Sequence, residues 1–147
     1  MNIISFSGGK DSTAMLLMML EKGIPCDRVI CVDTTKEFPQ MYEHIEKVQA
    51  MIEPSKIEII QIDFDYWFSE HIKTRGKRKG EKGYGWPDFR NRWCTALKRE
   101  AVKKIQKTIP EESIQFHGIA FDEKERALNN KGRNIKHPLV TWQITEK

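Results

Sequence analysis

Apolar positions along this chain follow two alternating rhythms. Ile3 to Phe6, Arg28 to Val32, Ile57 to Ile62 and Ile114 to Gly118 are short runs rich in isoleucine and valine, the pattern of strands buried in a sheet. Between them the spacing becomes helical. Thr13 to Lys22 is one such run, and its methionines and leucines read as core packing. Met41, Ile45, Val48 and Ile52 share a single stripe after Pro39, and Leu97, Ala101, Val102 and Ile105 form a third that stops before Pro110. This alternation predicts an α/β fold, a three-layer parallel sheet with helices on both faces. A length of 147 residues fits a single domain over 1–147.

Sheets of this kind bind ligands outside the carboxyl ends of their strands, and that rule sorts the polar residues. Ser7-Gly8-Gly9-Lys10-Asp11-Ser12 follows the first strand, Asp33-Thr34-Thr35 the second and Asp63 the third. Gly118, with Asp122, Glu123 and Arg126, follows the strand at Ile114. All four clusters are expected to face one crevice, although Asp33 and Asp63 are also the residue type that caps an ordinary strand end. The first cluster says most. A strand breaks into a glycine loop that opens a helix, where unpaired N–H groups and the helix dipole favour an anion. Adjacent glycines let backbone approach a phosphate closely, and the hydroxyls of Ser7 and Ser12 add donors. It is not a Walker A loop, because Gly-Lys comes too early and Asp11 stands where a hydroxyl is required; nor is it the dinucleotide loop, which needs a third glycine.

Composition narrows the setting. Hydrophobic residues make up 39% and charged residues 31% of the chain, as in a soluble globular protein. No apolar run approaches a membrane span and Met1-Asn2-Ile3 does not begin a secretory leader, so a cytoplasmic protein without a membrane partner is expected. Cys26, Cys31 and Cys94 are odd in number and form no C-x-x-C pair, which predicts reduced thiols, no zinc and no iron–sulfur cluster. The net charge of +4 is unevenly placed. Lys73, Arg75, Lys77, Arg78, Lys79 and Lys82 alternate with glycines, which predicts a mobile basic loop over 73–85. It reads as a solvated surface or as a flap over a polyanion. Nucleic acid is a candidate partner through 73–82, though such surfaces usually add stacking aromatics.

The Ser7–Ser12 stretch resembles the SGGxDS pyrophosphate loop of the PP-loop superfamily, which includes ATP pyrophosphatases and phosphoadenosine phosphosulfate (PAPS) reductases. Further segments resemble the PAPS reductase family itself: Asp33-Thr34-Thr35-Lys36-Glu37-Phe38-Pro39 its D-T-x-x-x-F-P stretch, Arg92 to Lys98 its R-x-C-x-x-x-K region, Gly118 to Arg126 its G-x-R turn, and His137-Pro138-Leu139 with Trp142 its P-L-x-x-W segment. The resemblance implies a Rossmann-like, adenine nucleotide alpha hydrolase-like fold and a small-molecule adenine nucleotide as ligand, either ATP or a PAPS- or APS-like sulfonucleotide. It implies that Ser7, Gly8, Gly9 and Ser12 cradle a pyrophosphate whose charge Lys10 offsets, with Asp11 holding Mg²⁺ or orienting the loop. Arg92, Lys98 and Arg126 would clamp phosphates, and Asp33, Thr34, Thr35 and Gly118 would complete the nucleotide site.

The departures concern chemistry. The late E-C-G-I-H cysteine segment of sulfate-reducing members is missing, Ala120 replaces the arginine of the G-x-R turn, and the chain stops at Thr145-Glu146-Lys147 where members start another helix. Either this is a minimal version, or a C-terminal part is supplied elsewhere; a homo-oligomer or a separate C-terminal partner is the candidate assembly. Cys94 is the candidate substitute nucleophile. Arg90, Arg92, Lys98 and Arg99 around a helix start should lower its pKa, whereas a helical face shared with Leu97 and Ala101 fits a packed core residue. The leading reading is an enzyme that acts at the α-phosphate of ATP, of ATP pyrophosphatase or adenylyl-transfer type. Thiol-dependent PAPS or APS reduction is the alternative, and a non-catalytic nucleotide-binding module or nucleic-acid-modification subunit stands behind it.

Overall fold

The computed structural model describes residues 1–129 and 134–146. Its elements follow the expected alternation: β1 (Asn2–Phe6), α1 (Lys10–Glu21), β2 (Arg28–Asp33), α2 (Pro39–Met51), β3 (Ile57–Gln61), α3 (Trp93–Gln106) and β4 (Ile114–His117). Three short elements follow, α4 (Lys124–Asn129), β5 (Ile135–Lys136) and α5 (Pro138–Thr141). The five strands form one parallel sheet in the order β3-β2-β1-β4-β5, and with its helices the protein has the three-layer α/β fold, Rossmann-like in type. β1 lies at the centre, pairing Ile4 with Val29 of β2 on one side and with Phe116 of β4 on the other. Arg28 makes a fork-to-fork pair with Glu58 across β2 and β3, at 2.7 and 2.6 Å.

The chain divides into two compact units, each of which has its own interior. The first comprises Met1–Cys31, Phe38–Ile59 and Ile109–Lys147. Its core joins Ile4, Phe6, Val29 and Phe116 of the strands to Met15, Leu16 and Met19 of α1, Val48 of α2 and Leu139 of α5. The Met and Leu residues of α1 are thus core packing. That helix stops at a Schellman cap: Gly23 N–H donates to Leu20 O and Ile24 N–H to Met19 O, leaving the next strand free to start.

The second unit, Val32–Glu37 and Ile60–Thr108, is built on rings rather than on aliphatic stripes. Phe64 and Trp93 are buried with centroids 5.0 Å apart, and Tyr84 stacks on Trp93 at 5.9 Å. A π-helical turn at Tyr66–Glu70 brings Trp67 within 4.1 Å of His71. Only Trp93 of α3 is buried; Leu97, Ala101, Val102 and Ile105, the stripe expected to be core, are half-buried. Residues 72–85 form a hairpin in which Ile72 bridges Lys82, Gly80 N–H donates to Lys73 O and Gly83 N–H to His71 O. Lys73 is buried and pairs with Glu81 at 3.3 Å, so backbone hydrogen bonds and ion pairs, among them Arg78 with Glu81 and Lys82 with Glu70, shape a stretch with few apolar residues. Among the described residues no helix is long and apolar enough to cross a membrane.

Candidate functional site

In the first unit the loop between β1 and α1 is held by its own hydroxyls. Ser7 N–H donates to Ser12 Oγ at 3.1 Å, the Ser7 and Ser12 hydroxyls lie 3.1 Å apart, and Ser12 Oγ–H reaches Gly9 O at 3.0 Å. Thr13 Oγ lies 2.9 Å from Gly9 O and 2.9 Å from His44 Nε2, a link to α2 that no spacing along the chain foretells. Gly8 has φ +74°, and a Cβ there would stand 2.5 Å from the Met41 sulfur. Gly9 caps α1 in an extended conformation and no side chain accepts from the first turn. The N–H groups of that turn are therefore presented at the loop, where backbone donors and the helix dipole attract an anion.

Gly118, just beyond β4, completes this arrangement by close approach. A Cβ at Gly118 would lie 2.7 Å from both Cα and N of Ser12. The turn that follows carries acids towards the same helix start: carboxylate oxygens of Asp11, Glu123 and Glu146 all fall within 4.8 Å of one another. Burial, and next to it the charge of Glu146, pushes the Asp11 carboxyl above the ordinary range. Lys10 pairs with Glu146 at 2.7 Å, which raises the lysine, and Arg126 pairs with Glu123 at 2.7 Å. Lys10 and Arg126, two of the four cations expected to face phosphate, thus rest on carboxylates. Glu146 lies far from the loop in sequence and shares no spacing with it, so no sequence signal marked it.

In the second unit the stretch after β2 is a turn braced by its own side chains. Asp33 is buried and its carboxylate accepts from Thr35 N–H at 2.7 Å, while Thr35 takes a left-handed φ of 61°. Thr34 Oγ–H donates to Glu37 at 3.0 Å, and Lys98 of α3 donates to the same Glu37 oxygen at 2.8 Å. Lys98 holds the Glu37 carboxyl below its usual range. Asp63 accepts from Tyr66 N–H at 3.0 Å, the strand-end capping role weighed for it. Arg92 is exposed and precedes the first turn of α3.

Cys94 is half-buried in that turn, and burial pushes its thiol up against the opposing pull of Lys98. The lowering expected from the flanking arginines and lysines does not occur, because desolvation of the thiolate outweighs those solvated charges. The Glu37–Lys98 pair gives a direct test. Because the folded Glu37 is depressed, its contribution is present above the unfolded carboxylate range and lost as pH falls through the folded value. Lys98→Ala is expected to cost at most about 1 kcal/mol at neutral pH, since both groups are partly exposed. Urea melts should show that difference shrinking under acid conditions.

The model for the phosphoadenosine phosphosulfate reductase domain matches residues 1–143. The chain belongs to that family. That family is one of nucleotide-related enzymes. Two relatives match over 97% of this chain. One is the uncharacterized 37.8 kDa protein in gpa 5'region of Escherichia phage 186, 29% identical, of which the chain covers 42%. The other is an uncharacterized protein of Methanocaldococcus jannaschii, 30% identical, of which the chain covers 27%. The chain therefore spans less than half the length of either relative.

Proposed function

We propose that this PAPS reductase-family domain binds ATP at the Ser7–Ser12 loop and acts at its α-phosphate, with pyrophosphate as the leaving group. What carries the reading is the uncapped first turn of α1, held open by Gly8 and Gly118 where a side chain has no room. Donors fixed before the ligand arrives stabilise charge on a leaving pyrophosphate without reorganising. Ser7, Gly8, Gly9 and Ser12 form the cradle. Lys10, which is exposed, can exchange its pair with Glu146 for phosphate oxygen.

Asp11, Glu123 and Glu146 fit Mg²⁺, since they offer hard oxygen donors within reach of one another and the Asp11 carboxylate is already destabilised, by burial first and by the charge of Glu146 second. Bound there, Mg²⁺ would supply charge neutralisation of the phosphates. Arg126 would serve as a phosphate clamp once released from Glu123.

The test is product analysis with ATP and Mg²⁺, beside a binding panel of ATP, AMP, PAPS and adenosine 3′,5′-bisphosphate. Pyrophosphate, with AMP or an adenylylated acceptor, is the expected outcome; ADP with orthophosphate would refute it. Cys94→Ser is expected to keep full turnover, because its thiol is not poised as a thiolate. Loss of turnover in that variant, with adenosine 3′,5′-bisphosphate binding more tightly than ATP, would shift the reaction to thiol-dependent sulfonucleotide reduction. Binding without turnover, acceptors and reductant supplied, would make the domain a sensing module.

A further inference from the structure

The basic character of this chain resides in one segment of the second unit. Between residues 73 and 92 there are eight lysines and arginines and two carboxylates, while the other 17 cations and 19 carboxylates leave the remainder slightly acidic. Lys73 and Arg78 are paired with Glu81, and Lys82 with Glu70. Arg75, Lys77, Lys79 and Arg92 are exposed and have no carboxylate partner among the described residues. Charge this uneven on a surface hairpin attracts a polyanion, and that alone does not distinguish one polyanion from another.

The rings beside it do. Trp86 is 76% exposed and Phe89 81% exposed. Large aromatics are rarely left so bare without a partner. The loop that carries them is firmly braced. Asp88 accepts from the N–H groups of Arg90 and Asn91 at 2.7 Å, the Asn91 amide donates to Tyr84 O at 2.9 Å, and Trp93 Nε1–H donates to Gly85 O at 3.0 Å. Trp86 rests edge-on against Phe68 at 5.0 Å, and the Arg90 guanidinium lies 5.2 Å from the Phe89 ring. Two rings are thus presented three residues apart, with cations on either side in sequence.

We propose that this surface binds single-stranded nucleic acid, with bases stacking on Trp86 and Phe89 and phosphates on Arg75, Lys77 and Lys79. Stacking on an exposed ring requires a base free of its own helix, which excludes duplex as the preferred form, and it tolerates any base because each has a π face. The inference does not depend on the ATP reading, since none of its residues belongs to the Ser7–Ser12 loop.

The test is fluorescence anisotropy of the full chain with labelled oligo(dT) and oligo(rU) of about 15 nucleotides, against a duplex of equal length and polyglutamate as competitor. Expected are binding to one or both single strands, weaker duplex binding and a salt dependence of roughly −0.7 per phosphate contacted in log K against log salt. Trp86→Ala should weaken binding about tenfold or more, and the triple variant Arg75→Gln, Lys77→Gln, Lys79→Gln should flatten the salt slope. Circular dichroism confirms that each variant is folded, and the charge variant keeps the test open should Trp86→Ala disturb the ring cluster. Duplex binding as tight as single strand, salt-sensitive binding indifferent to Trp86, equal competition by polyglutamate, or no binding would each overturn the proposal. Displacement of the oligonucleotide by ATP at its own binding concentration would also overturn it, by assigning the rings to the nucleotide. Failure of ATP turnover with single-strand binding intact would refute only the ATP reading.

Discussion

Gly118→Ala is expected to destabilise the fold and to remove nucleotide binding. The new Cβ would stand 2.7 Å from Ser12 Cα and N and 2.9 Å from the Asp11 carbonyl carbon. All three are backbone atoms of the first turn of α1, so no side chain can rotate aside and either the β4 terminus or the helix start must move. Overpacking of this kind costs about 1–3 kcal/mol. Among the atoms displaced is the Ser12 N–H, a donor of the proposed anion site, so affinity for ATP should fall at least about tenfold in the molecules that remain folded. Gly9→Ala is the control for stability: it has φ in the ordinary range, and its Cβ would meet only the Ser7 hydroxyl at 3.4 Å. Urea denaturation of both variants, with calorimetric titration of ATP, checks this. Equal stability of the two would show that the approach of Gly118 to α1 is looser than described.

Asp11→Asn should move stability and activity in opposite directions. The folded Asp11 carboxyl is raised, by burial first and the charge of Glu146 second, so the native state holds its proton more tightly than the unfolded chain does. Its ionisation therefore opposes folding at neutral pH, and this penalty fades as pH falls into the carboxylate range. The neutral amide removes the penalty, and the variant without ligand should melt higher than the parent at pH 7, with the two converging in acid. Turnover of ATP with Mg²⁺ should fall on the order of a hundredfold, because a metal ligand contributes several kcal/mol to charge stabilisation. An unchanged rate would remove Asp11 from the metal and phosphate chemistry. A lower melting temperature would mean that an attraction to Lys10 outweighs the repulsion among the acids.

Much of the architecture was legible because burial leaves a periodic trace. β1 to β4 and α1 to α3 each carry enough apolar residues to show their period, and the glycine loop announces itself by composition and position. α4, β5 and α5 are too short for any period, with β5 only two residues long. The ring cluster of the second unit was invisible for another reason. Phe64, Tyr84, Trp86 and Trp93 come from a strand end, a hairpin exit and a helix start, and no repeat links them. Long-range pairing was the other blind spot. Glu37 lies in the D-T-x-x-x-F-P stretch and Lys98 in the R-x-C-x-x-x-K region, yet nothing in either spacing says that they meet. The helical face that Cys94 shares with Leu97 and Ala101 pointed to burial, yet sequence alone does not say whether desolvation or the surrounding cations wins at its thiol.

The position of β1 at the centre of the sheet also fixes an order of assembly. Its pairing with β2 joins neighbours in the chain, whereas Asn2 meets Ile114 across on the order of a hundred residues, a loop closure that slows folding. On the ribosome the strand with its glycine loop is synthesised long before β4 and the Gly118 that buttresses it. Until β4 docks, one edge of β1 offers unpaired N–H and C=O groups to any other strand, including that of a second nascent chain. Expression yield should therefore depend on how fast translation proceeds from β2 to β4, and stalling in that interval should favour inclusion bodies over the mature anion site.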